Sequence, residues 1–260
     1  MNKEETSNER KKWLATILGL IMPGMGQIYN GELVKGISCF SIFLVVFVSG
    51  FRWTVLLPDK LLILGVLVTI IATLVVYVVA VVDAYRKAQK PDVHYQPTAY
   101  NRWYFYLAVW MLGSVLVSGA VYDYVRNNVI AAYKIASMSM APAVLKGDRV
   151  FADKTAYRRN APKKGDIIVF VGPDDRSKVF IKRIEGLPGD FVMSSGSTRE
   201  QVPHGMVYVL GDNKDQSIDS REFGFVPLRD VIGKVRQAYY SSGDDGIRWN
   251  RIGMVLGGVA

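Results

Sequence analysis

The sequence contains few of the side chains from which metal and disulfide sites are built. Its 260 residues include one cysteine, Cys39, and two histidines, His94 and His204. A single cysteine excludes an intrachain disulfide and a thiolate metal cluster, and its apolar surroundings predict a small buried hydrophobe. The two histidines show no ligand spacing. We therefore expect no metal and no cofactor.

Dense clusters of one charge are also missing. The net charge is +9, but acidic residues accompany the basic ones throughout. The pairs at 158–159 (Arg-Arg) and 163–164 (Lys-Lys) are too short for a nucleic-acid-binding face, which needs clustered basic residues with interleaved aromatics. A solvated surface, or one close to anionic lipid headgroups, is the better interpretation. No nucleic-acid partner is expected.

Long apolar runs fill the first half of the chain. Residues 1–12 are polar with both signs and predict a cytoplasmic tail rather than a signal peptide. The anchor region, 13–124, holds three runs long enough for membrane helices: residues 36–51, 61–82 and 105–121. Residues 13–29 are interrupted by Pro23 and Gly24 and predict a re-entrant or partial element, while a fourth span with an outside amino terminus stays open. The basic loop at 85–102 is predicted to be cytoplasmic, which places the domain at 125–260 on the extracytoplasmic side.

Residues 125–260 have a different composition and a different hydrophobic pattern. Short β-branched runs, divided by turn residues, predict strands at 150–154, 166–171, 178–184, 191–193, 206–210 and 231–240. A region of this size can bury a core of its own. The expected fold class is an α-helical membrane anchor of three spans plus a re-entrant or interfacial element, followed by a mainly-β domain.

Residues 135–147, I-A-S-M-S-M-A-P-A-V-L-K-G, join the two parts. Their alternation predicts an extended strand in which Ser137 and Ser139 point the same way, an arrangement that presents a hydroxyl nucleophile beside a second hydroxyl. Serine near proline is also ordinary turn chemistry, so this stretch alone decides nothing.

Two further stretches carry polar groups of interest. Successive side chains of a strand face opposite sides, so Lys182 can point inward from its apolar strand while Arg183 stays in water. A solvated lysine is nevertheless the commoner case. The segment at 211–221, G-D-N-K-D-Q-S-I-D-S-R, is typical of a hairpin loop with Asx turns, and its polar side chains also suit the support of a catalytic site.

Taken together, these stretches resemble the motifs of type I signal peptidases, or leader peptidases, the membrane serine proteases that remove signal peptides. S-M-S-M-A-P-A-V-L-K-G-D resembles the nucleophile box, K-K-G-D-I-I-V-F the third box, F-I-K-R-I-E-G-L-P-G-D the lysine box and G-D-N-K-D-Q-S-I-D-S-R-E-F-G-F-V-P the last. The resemblance spans almost everything after Ile135. Separately, P-G-M-G-Q-I-Y-N-G-E with D-A-Y-R-K-A resembles small two-helix bacterial membrane modules, which implies no chemistry.

The resemblance implies a Ser/Lys dyad in the bacterial cytoplasmic (inner) membrane. It makes Ser139 the nucleophile and Lys182 the general base, with the Ser137 hydroxyl and the Ser139 amide stabilising the oxyanion. Supporting roles are implied for Ser217, Asp219 and Arg221. Our candidates for shallow apolar substrate pockets are Ile135, Met140, Val144 and Ile181, of which Val144 fits a core role at least as well. The partners implied are preprotein signal peptides, the lipid bilayer and the secretion machinery.

The sequence departs from the family pattern in places. Ala136 and Met138 stand where proline and glycine are usual, and Ala143 where threonine is common. The stretch between the lysine box and G-D-N is short, so the large β insertion of some Gram-negative relatives is missing. The membrane helices also exceed the usual one or two. Met138 is the departure with the clearest consequence, because it can alter the oxyanion geometry.

Elementary chemistry favours lysine as the base. His94 is predicted to lie across the membrane from Ser139, and His204 lies in a Pro-His-Gly turn. An ordinary lysine costs roughly 4–5 kcal/mol to deprotonate at neutral pH, so the apolar strand must lower its pKa by desolvation. Two other functions stay open: a specialised maturation peptidase for a conjugation or pilus subunit, and a non-catalytic peptide-binding membrane scaffold. A self-cleaving soluble repressor is excluded by the membrane spans.

Overall fold

The computed structural model describes residues 10–90, 102–193 and 199–257. The chain divides into two compact units, one made of residues 1–52 and 66–124 and the other of residues 53–65 and 125–260. The predicted cytoplasmic tail falls largely on residues 1–9, and the predicted cytoplasmic loop, with His94, falls largely on residues 91–101. Both predictions therefore lie mostly outside the described residues.

Apolar helices dominate the first half of the chain. They are α1 (Lys12–Ile21), α2 (Met25–Tyr29), α3 (Leu33–Thr54), α4 (Leu62–Gln89), α5 (Trp103–Trp110) and α6 (Ser118–Asn128). A 3-10 turn, Asp59–Leu61, leads into α4, and a π-helical turn, Met111–Val117, joins α5 to α6. Three continuous helical stretches are long and apolar enough to cross a membrane: Leu33–Thr54, Asp59–Gln89 and Trp103–Asn128. Each contains one of the three predicted spans, whereas residues 13–29 are split between the short helices α1 and α2.

The two stretches that resemble small membrane modules, residues 23–32 and 83–88, contact each other. Gly24, between α1 and α2, has a φ of +98°, and a Cβ there would overlap the Gly36 carbonyl, so only glycine fits. The Gln27 side chain, fully buried, donates to the Ala80 carbonyl of α4 at 2.6 Å. Asn30 donates to the carbonyl one turn later, at 2.8 Å. The Gly24 contact thus holds the turn before α2 against α3, and the two buried amides hold α2 against α4.

The second half is a mainly-β unit, as the sequence predicts. Its strands are β1 (Ile130–Lys134), β2 (Asp148–Asp153), β3 (Ile167–Val171), β4 (Val179–Gly186), β5 (Phe191–Met193), β6 (Arg199–Gln201), β7 (Met206–Leu210), β8 (Val226–Pro227), β9 (Val231–Gly243) and β10 (Gly246–Ile247). Short helices α7 (Ala156–Arg159) and α8 (Ser220–Phe223) lie between strands. An antiparallel sheet has the order β1-β2-β9-β3-β4-β7-β8, with β10 beside β9, and β5 and β6 form a separate pair.

Strand β3 lies in the middle of the sheet and is buried on both faces. Ile167 and Val169 pack into one apolar cluster with Val150 and Val235. Their neighbours along the strand, Ile168 and Phe170, belong to a second cluster with Ile184 and Val207. A continuous apolar run is what a doubly buried strand requires. This strand pairs with β4 on one side and β9 on the other, and so fixes the position of Lys182 on β4.

The prediction of an extended strand at 135–147 is wrong. β1 ends at Lys134, and the residues that follow form turns in which the carbonyls of Met138 and Met140 accept from the amides of Ala141 and Val144. Pro142 has no N–H to offer a neighbouring strand, which favours this local pairing. The segment is therefore a loop, closed at its base by a 3.0 Å hydrogen bond from the Gly147 amide to the Ile135 carbonyl.

A buried ion pair fastens this loop to the end of the chain. Asp148, fully buried, accepts from Arg251 at 2.7 Å and from the Ser241 hydroxyl at 2.6 Å. Arg251 also donates to the Ala143 carbonyl inside the loop, at 2.7 Å. Burial alone would raise the pKa of Asp148, but hydrogen bonds from Arg251, Ser241 and the Leu145 amide bring it below its ordinary value. The carboxylate is thus held ionised where it anchors the loop.

Candidate active site

Two serine hydroxyls meet in the loop after β1. The Oγ atoms of Ser137 and Ser139 lie 3.1 Å apart, although the segment is not a strand. Ser139 is 8% exposed, and Ser137 is exposed. The turns of the loop therefore bring the two hydroxyls together, as the predicted strand would have done. One hydroxyl is sheltered and the other faces solvent at the same point.

Lys182 projects inward from β4. The side chain is 2% exposed, and Nζ donates to the Ser217 hydroxyl at 2.9 Å. Burial lowers the pKa of Lys182 below its ordinary value; the Asp219 carboxylate opposes this shift and Arg221 adds to it. The alternative of a solvated lysine is thereby set aside. Its amine lies in a setting that favours the neutral form needed in a base.

The next residue on β4 faces the other way. Arg183 makes a two-pronged ion pair with Asp212, both contacts at 2.8 Å, and also donates to the Gly165 carbonyl. Because Asp212 lies between Gly211 and Asn213, one strand positions both the buried lysine and the loop that carries G-D-N. Lys182 points inward as predicted, but Arg183 lies in a partly buried ion pair rather than in open water, with 23% of its side chain exposed.

The G-D-N loop (residues 211–213) hydrogen-bonds directly to the serine segment (residues 137–139). The Asn213 amide donates to the Ser139 carbonyl at 3.1 Å, and its side chain donates to the Met138 carbonyl at 3.3 Å. A Cβ on Gly211 would lie 2.5 Å from the Ser139 carbonyl oxygen and closer still to Ser217 Oγ. Glycine is thus required here for space. The roles of Gly211 and Asn213 in holding the serine segment are not among the predictions, although the G-D-N motif itself is the signal that points to them.

Asp219 and Arg221 form the support beneath Ser217. Asp219 is fully buried, accepts from the Gly211 amide at 2.9 Å and pairs with Arg221 at 2.9 and 3.0 Å. Burial alone would raise the pKa of Asp219, but hydrogen bonds from Arg221, the Gly211 amide and Ser217 lower it below its ordinary value. Arg221 also donates to the Lys214 carbonyl at 2.7 Å. The pair therefore ties the whole 211–221 segment into one conformation.

A cavity of about 240 Å³ opens beside the serines. It is lined by Lys134, Ile135, Ala136, Ser137, Ser139, Met140, Val179, Phe180, Ile181 and Lys182. One wall comes from the loop after β1 and the other from β4. Three of the four predicted pocket residues, Ile135, Met140 and Ile181, are among them. Phe180 and Val179 are lining residues that the predictions omit, and they belong to the apolar run before Lys182.

The fourth predicted pocket residue lies elsewhere. Val144 is fully buried in the cluster that contains Val150 and Val235, and it does not line the cavity. The turn after Pro142 carries its side chain into the core, so we correct its assignment from substrate pocket to core. Within the described ranges, no group of three or more His, Cys, Asp or Glu side chains is placed to hold a metal ion. His204 is exposed in a turn.

Comparisons with known proteins identify the family of this chain. The family model described as "Signal peptidase, peptidase S26" matches residues 107–198 and 192–240. A probable signal peptidase I-1 of Synechocystis is 32% identical over 148 residues, which are 46% of this chain and 74% of the relative. Signal peptidase I V of Bacillus subtilis is 29% identical over 165 residues, 50% of this chain and 96% of the relative. A solved signal peptidase I from Enterococcus faecalis aligns with 29% of this chain and 97% of its own, at 27% identity and a TM-score of 0.25.

These similarities favour neither the specialised maturation peptidase nor the non-catalytic scaffold. The match to the family model spans more than half of the chain, and the Synechocystis relative passes 30% identity over about three quarters of its own length. The apolar helices fit the membrane association of such enzymes. The chain belongs to the signal peptidase family, peptidase S26, and is a membrane serine endopeptidase that removes signal peptides from preproteins.

Proposed function

We propose that the chain cleaves exported preproteins by a Ser/Lys mechanism, with Ser139 as nucleophile and Lys182 as general base. The observation that carries the proposal is the shared cavity, which is lined by a buried lysine amine and by a pair of serine hydroxyls in contact. A hydroxyl nucleophile needs a neighbouring base, and the lowered pKa of Lys182 makes its amine one.

The reaction begins with a proton transfer. Neutral Lys182 Nζ takes the proton from Ser139 Oγ as this oxygen bonds to the scissile carbonyl carbon. The negative charge that develops on the carbonyl oxygen is stabilised by the Ser139 amide and the Ser137 hydroxyl. Ser137 is well suited to this task because its Oγ lies 3.1 Å from the attacking oxygen.

Collapse of the intermediate breaks the C–N bond. The leaving amine takes its proton from the Lys182 ammonium, and the signal peptide stays attached to Ser139 as an ester. A water molecule then gives a proton to Lys182 and attacks the ester carbonyl, after which Ser139 recovers its proton. Ser217, the acceptor for Lys182 Nζ, keeps the amine in place through both halves of the reaction. Asp219 and Arg221 hold Ser217 in turn, through its hydroxyl and its carbonyl.

The part of the preprotein that enters the site is a short extended segment with small side chains. A cavity of about 240 Å³ with apolar walls from Ile135, Met140 and Ile181 fits a small residue such as alanine before the cut. Among the described strands, β1 lies at one end of the sheet order and pairs with β2 alone, so an extended peptide can lie alongside its other edge and the residues that follow. Burial of small apolar side chains next to Ser139 positions the scissile bond.

The enzyme acts from the bacterial cytoplasmic (inner) membrane, with the tail at 1–12 inside, the anchor at 13–124 in the bilayer and the peptidase domain at 125–260 outside. Three long apolar helices support three spans, and the short helices α1 and α2 support a re-entrant or partial element. Preproteins reach it through the secretion machinery. Reporters fused at residue 1 and at residue 260 test this topology, and a periplasmic signal from residue 1 would replace it by four spans.

Loss of either member of the dyad should abolish cleavage. In full-length protein reconstituted in liposomes, Ser139→Ala and Lys182→Ala each lower turnover of a preprotein by roughly 10³-fold or more, since residues that act as a unit fail together. The preprotein still binds, because neither change fills the cavity. Gel analysis with the cut site mapped measures cleavage.

Ser177→Ala and Lys178→Ala are the matched controls for this experiment. Both side chains are exposed in the turn before β4 and do not line the cavity. They should leave turnover unchanged. Near-normal cleavage by the Ser139 or the Lys182 variant would remove the assignment of the dyad.

A further inference from the structure

An exposed lysine stands at the edge of the cavity. Lys134 is the last residue of β1, and it lines the cavity together with the serine segment. The other cation of the lining, Lys182, is buried and engaged with Ser217. No Asp or Glu is among the described residues that line this cavity. A peptide in the cleft therefore meets a positive charge that the cavity does not neutralise.

A second cation lies beside the first. In the antiparallel pairing of β1 with β2, Lys134 is directly opposite Arg149, so the two side chains share one face of the sheet. The Arg149 guanidinium stacks over the Tyr240 ring, 5.2 Å from its centroid. Like charges directly opposite each other are unfavourable, and a carboxylate bound between or beside them relieves the repulsion. We call Lys134 and Arg149 the cationic rim.

No acidic side chain in the described ranges neutralises the rim. The nearest carboxylate along the chain, Asp148, is fully buried and committed to Arg251 and Ser241. Across the described parts of the chain, neither Lys134 nor Arg149 forms an ion pair with an acidic side chain. The rim is therefore available to a charge brought by a substrate.

We propose that the cationic rim selects preproteins with an acidic side chain close to the scissile bond. The proposal rests on the cleavage function and on the bound segment lying in this cavity. Lys134 is a specificity residue rather than a catalytic one, since it faces solvent at the cavity edge while the dyad is sheltered. Because the rim is exposed, its effect on selectivity is moderate and sensitive to salt.

The test uses full-length protein in a neutral detergent and one signal-peptide substrate in three versions. Alanine is kept directly before the cut, and Glu, Gln or Lys is placed in turn at the next two positions before it and at each of the three positions after it. Wild-type enzyme should show a kcat/KM about three- to fivefold higher for Glu than for Gln at one of these positions, the size that an exposed ion pair gives. High salt should reduce the ratio toward one.

Variants of the rim should change this ratio while cleavage of the neutral peptide continues. Lys134→Gln brings the ratio close to one, Lys134→Glu reverses it in favour of the Lys peptide, and Arg149→Gln gives an intermediate value. Lys178→Gln, an exposed lysine outside the cavity, keeps the wild-type ratio.

The outcomes separate this inference from the cleavage function. If wild-type enzyme cleaves the neutral peptide but shows the same Glu-to-Gln ratio as Lys134→Glu at every position, the rim is not a specificity element and the cleavage function stands. A charge effect that appears only with anionic vesicles, and not with peptides in detergent, assigns the rim to lipid headgroups and overturns the proposal. If wild-type enzyme cleaves no version, the cleavage function itself falls.

Discussion

Lys182 lies in an apolar strand with one close polar partner. Its Nζ donates to Ser217 at 2.9 Å, while Ile181 and Phe180 continue the wall of the cavity. Removing an ammonium from water is costly, so burial is the main cause of the lowered pKa. The Asp219 carboxylate limits the shift, because its negative charge favours the ammonium form. In the proposed mechanism, this balance leaves an amine that accepts the Ser139 proton and can still return it to the leaving group.

The lowered pKa predicts how activity depends on pH. Only neutral Lys182 can accept the Ser139 proton, so kcat/KM should rise with pH through the lowered pKa and level off before the ordinary lysine value of 10.5. Between those two values the unfolded chain binds more protons than the folded one, and stability should therefore rise with pH over the same window. Initial rates and thermal unfolding across this window measure both.

A neighbouring charge offers a check on this assignment. The exposed Glu222 carboxylate also raises the pKa of Lys182, so Glu222→Gln should move the activity profile slightly toward lower pH with little change in the plateau. A profile that is flat in the wild-type enzyme, or that moves upward in this variant, would contradict the role of Lys182 as the titrating base.

Among the structural elements, the G-D-N loop (residues 211–213) connects the two sides of the site. It meets β4 through the ion pair between Asp212 and Arg183, and it meets the serine segment through the hydrogen bond from Asn213 to the Ser139 carbonyl. Gly211 lies between them, packed against Ser217 and the Ser139 carbonyl. The proposed base and nucleophile come from separate elements, and the 211–221 segment contacts both, Lys182 through Ser217 and Ser139 through Asn213.

A side chain at Gly211 should disturb the contacts between the G-D-N loop and the serine segment. Gly211→Ala places a methyl group 2.5 Å from the Ser139 carbonyl oxygen, so the loop or the serine segment must move. Because misplacement by about 1 Å can cost roughly 10²-fold in rate, we expect a loss of that order in kcat, and a lower melting temperature. Steady-state cleavage and thermal unfolding of the purified enzyme give the two readouts.

Gly119→Ala is the matched control, since a Cβ at this position of α6 meets nothing within 4 Å. It should leave activity unchanged and stability the same or slightly higher, because alanine favours helices. Wild-type kcat in the Gly211 variant would show that the loop adapts and does not set the geometry of the site.

Local pattern predicts some of these elements and fails for others. The continuous run of Ile167 to Val171 predicts β3 because burial on both faces leaves no polar alternative. Residues 135–147 alternate like a strand, yet they turn, because Asn213 and Arg251 satisfy carbonyls that a sheet neighbour would otherwise bond. These partners lie 70 or more residues away, where no local pattern reports them. The motif resemblance still points to Ser139 as the proposed nucleophile, since chemistry constrains residue identity more than local conformation does.

At the scale of the whole molecule, the β unit is not one continuous piece of chain. It takes in residues 53–65, the segment between two helices long enough to cross a membrane. Arg236 of β9, 7% exposed, donates to the carbonyls of Val55 and Leu57 and to the carboxylate of Asp59. The predicted boundary at 125 omits this segment. Arg236 lies in the predicted strand at 231–240, but nothing in a single sequence indicates that its partners come from residues 55–59.

This attachment predicts a large effect of one buried side chain. In the full-length enzyme, Arg236→Met removes the hydrogen bonds that Arg236 gives to the carbonyls of Val55 and Leu57 and to the Asp59 carboxylate, and we expect the free energy of unfolding to fall by about 2–4 kcal/mol. Lys164→Met is the control, because Lys164 also forms an ion pair, with Glu185, but both side chains are exposed, at 59% and 46%. It should change little, since solvent screens exposed pairs. Thermal unfolding compares the two, and limited proteolysis within residues 53–65 should speed up in the Arg236 variant alone. Equal stability of both variants would mean that residues 53–65 rest on the β unit without contributing to its fold.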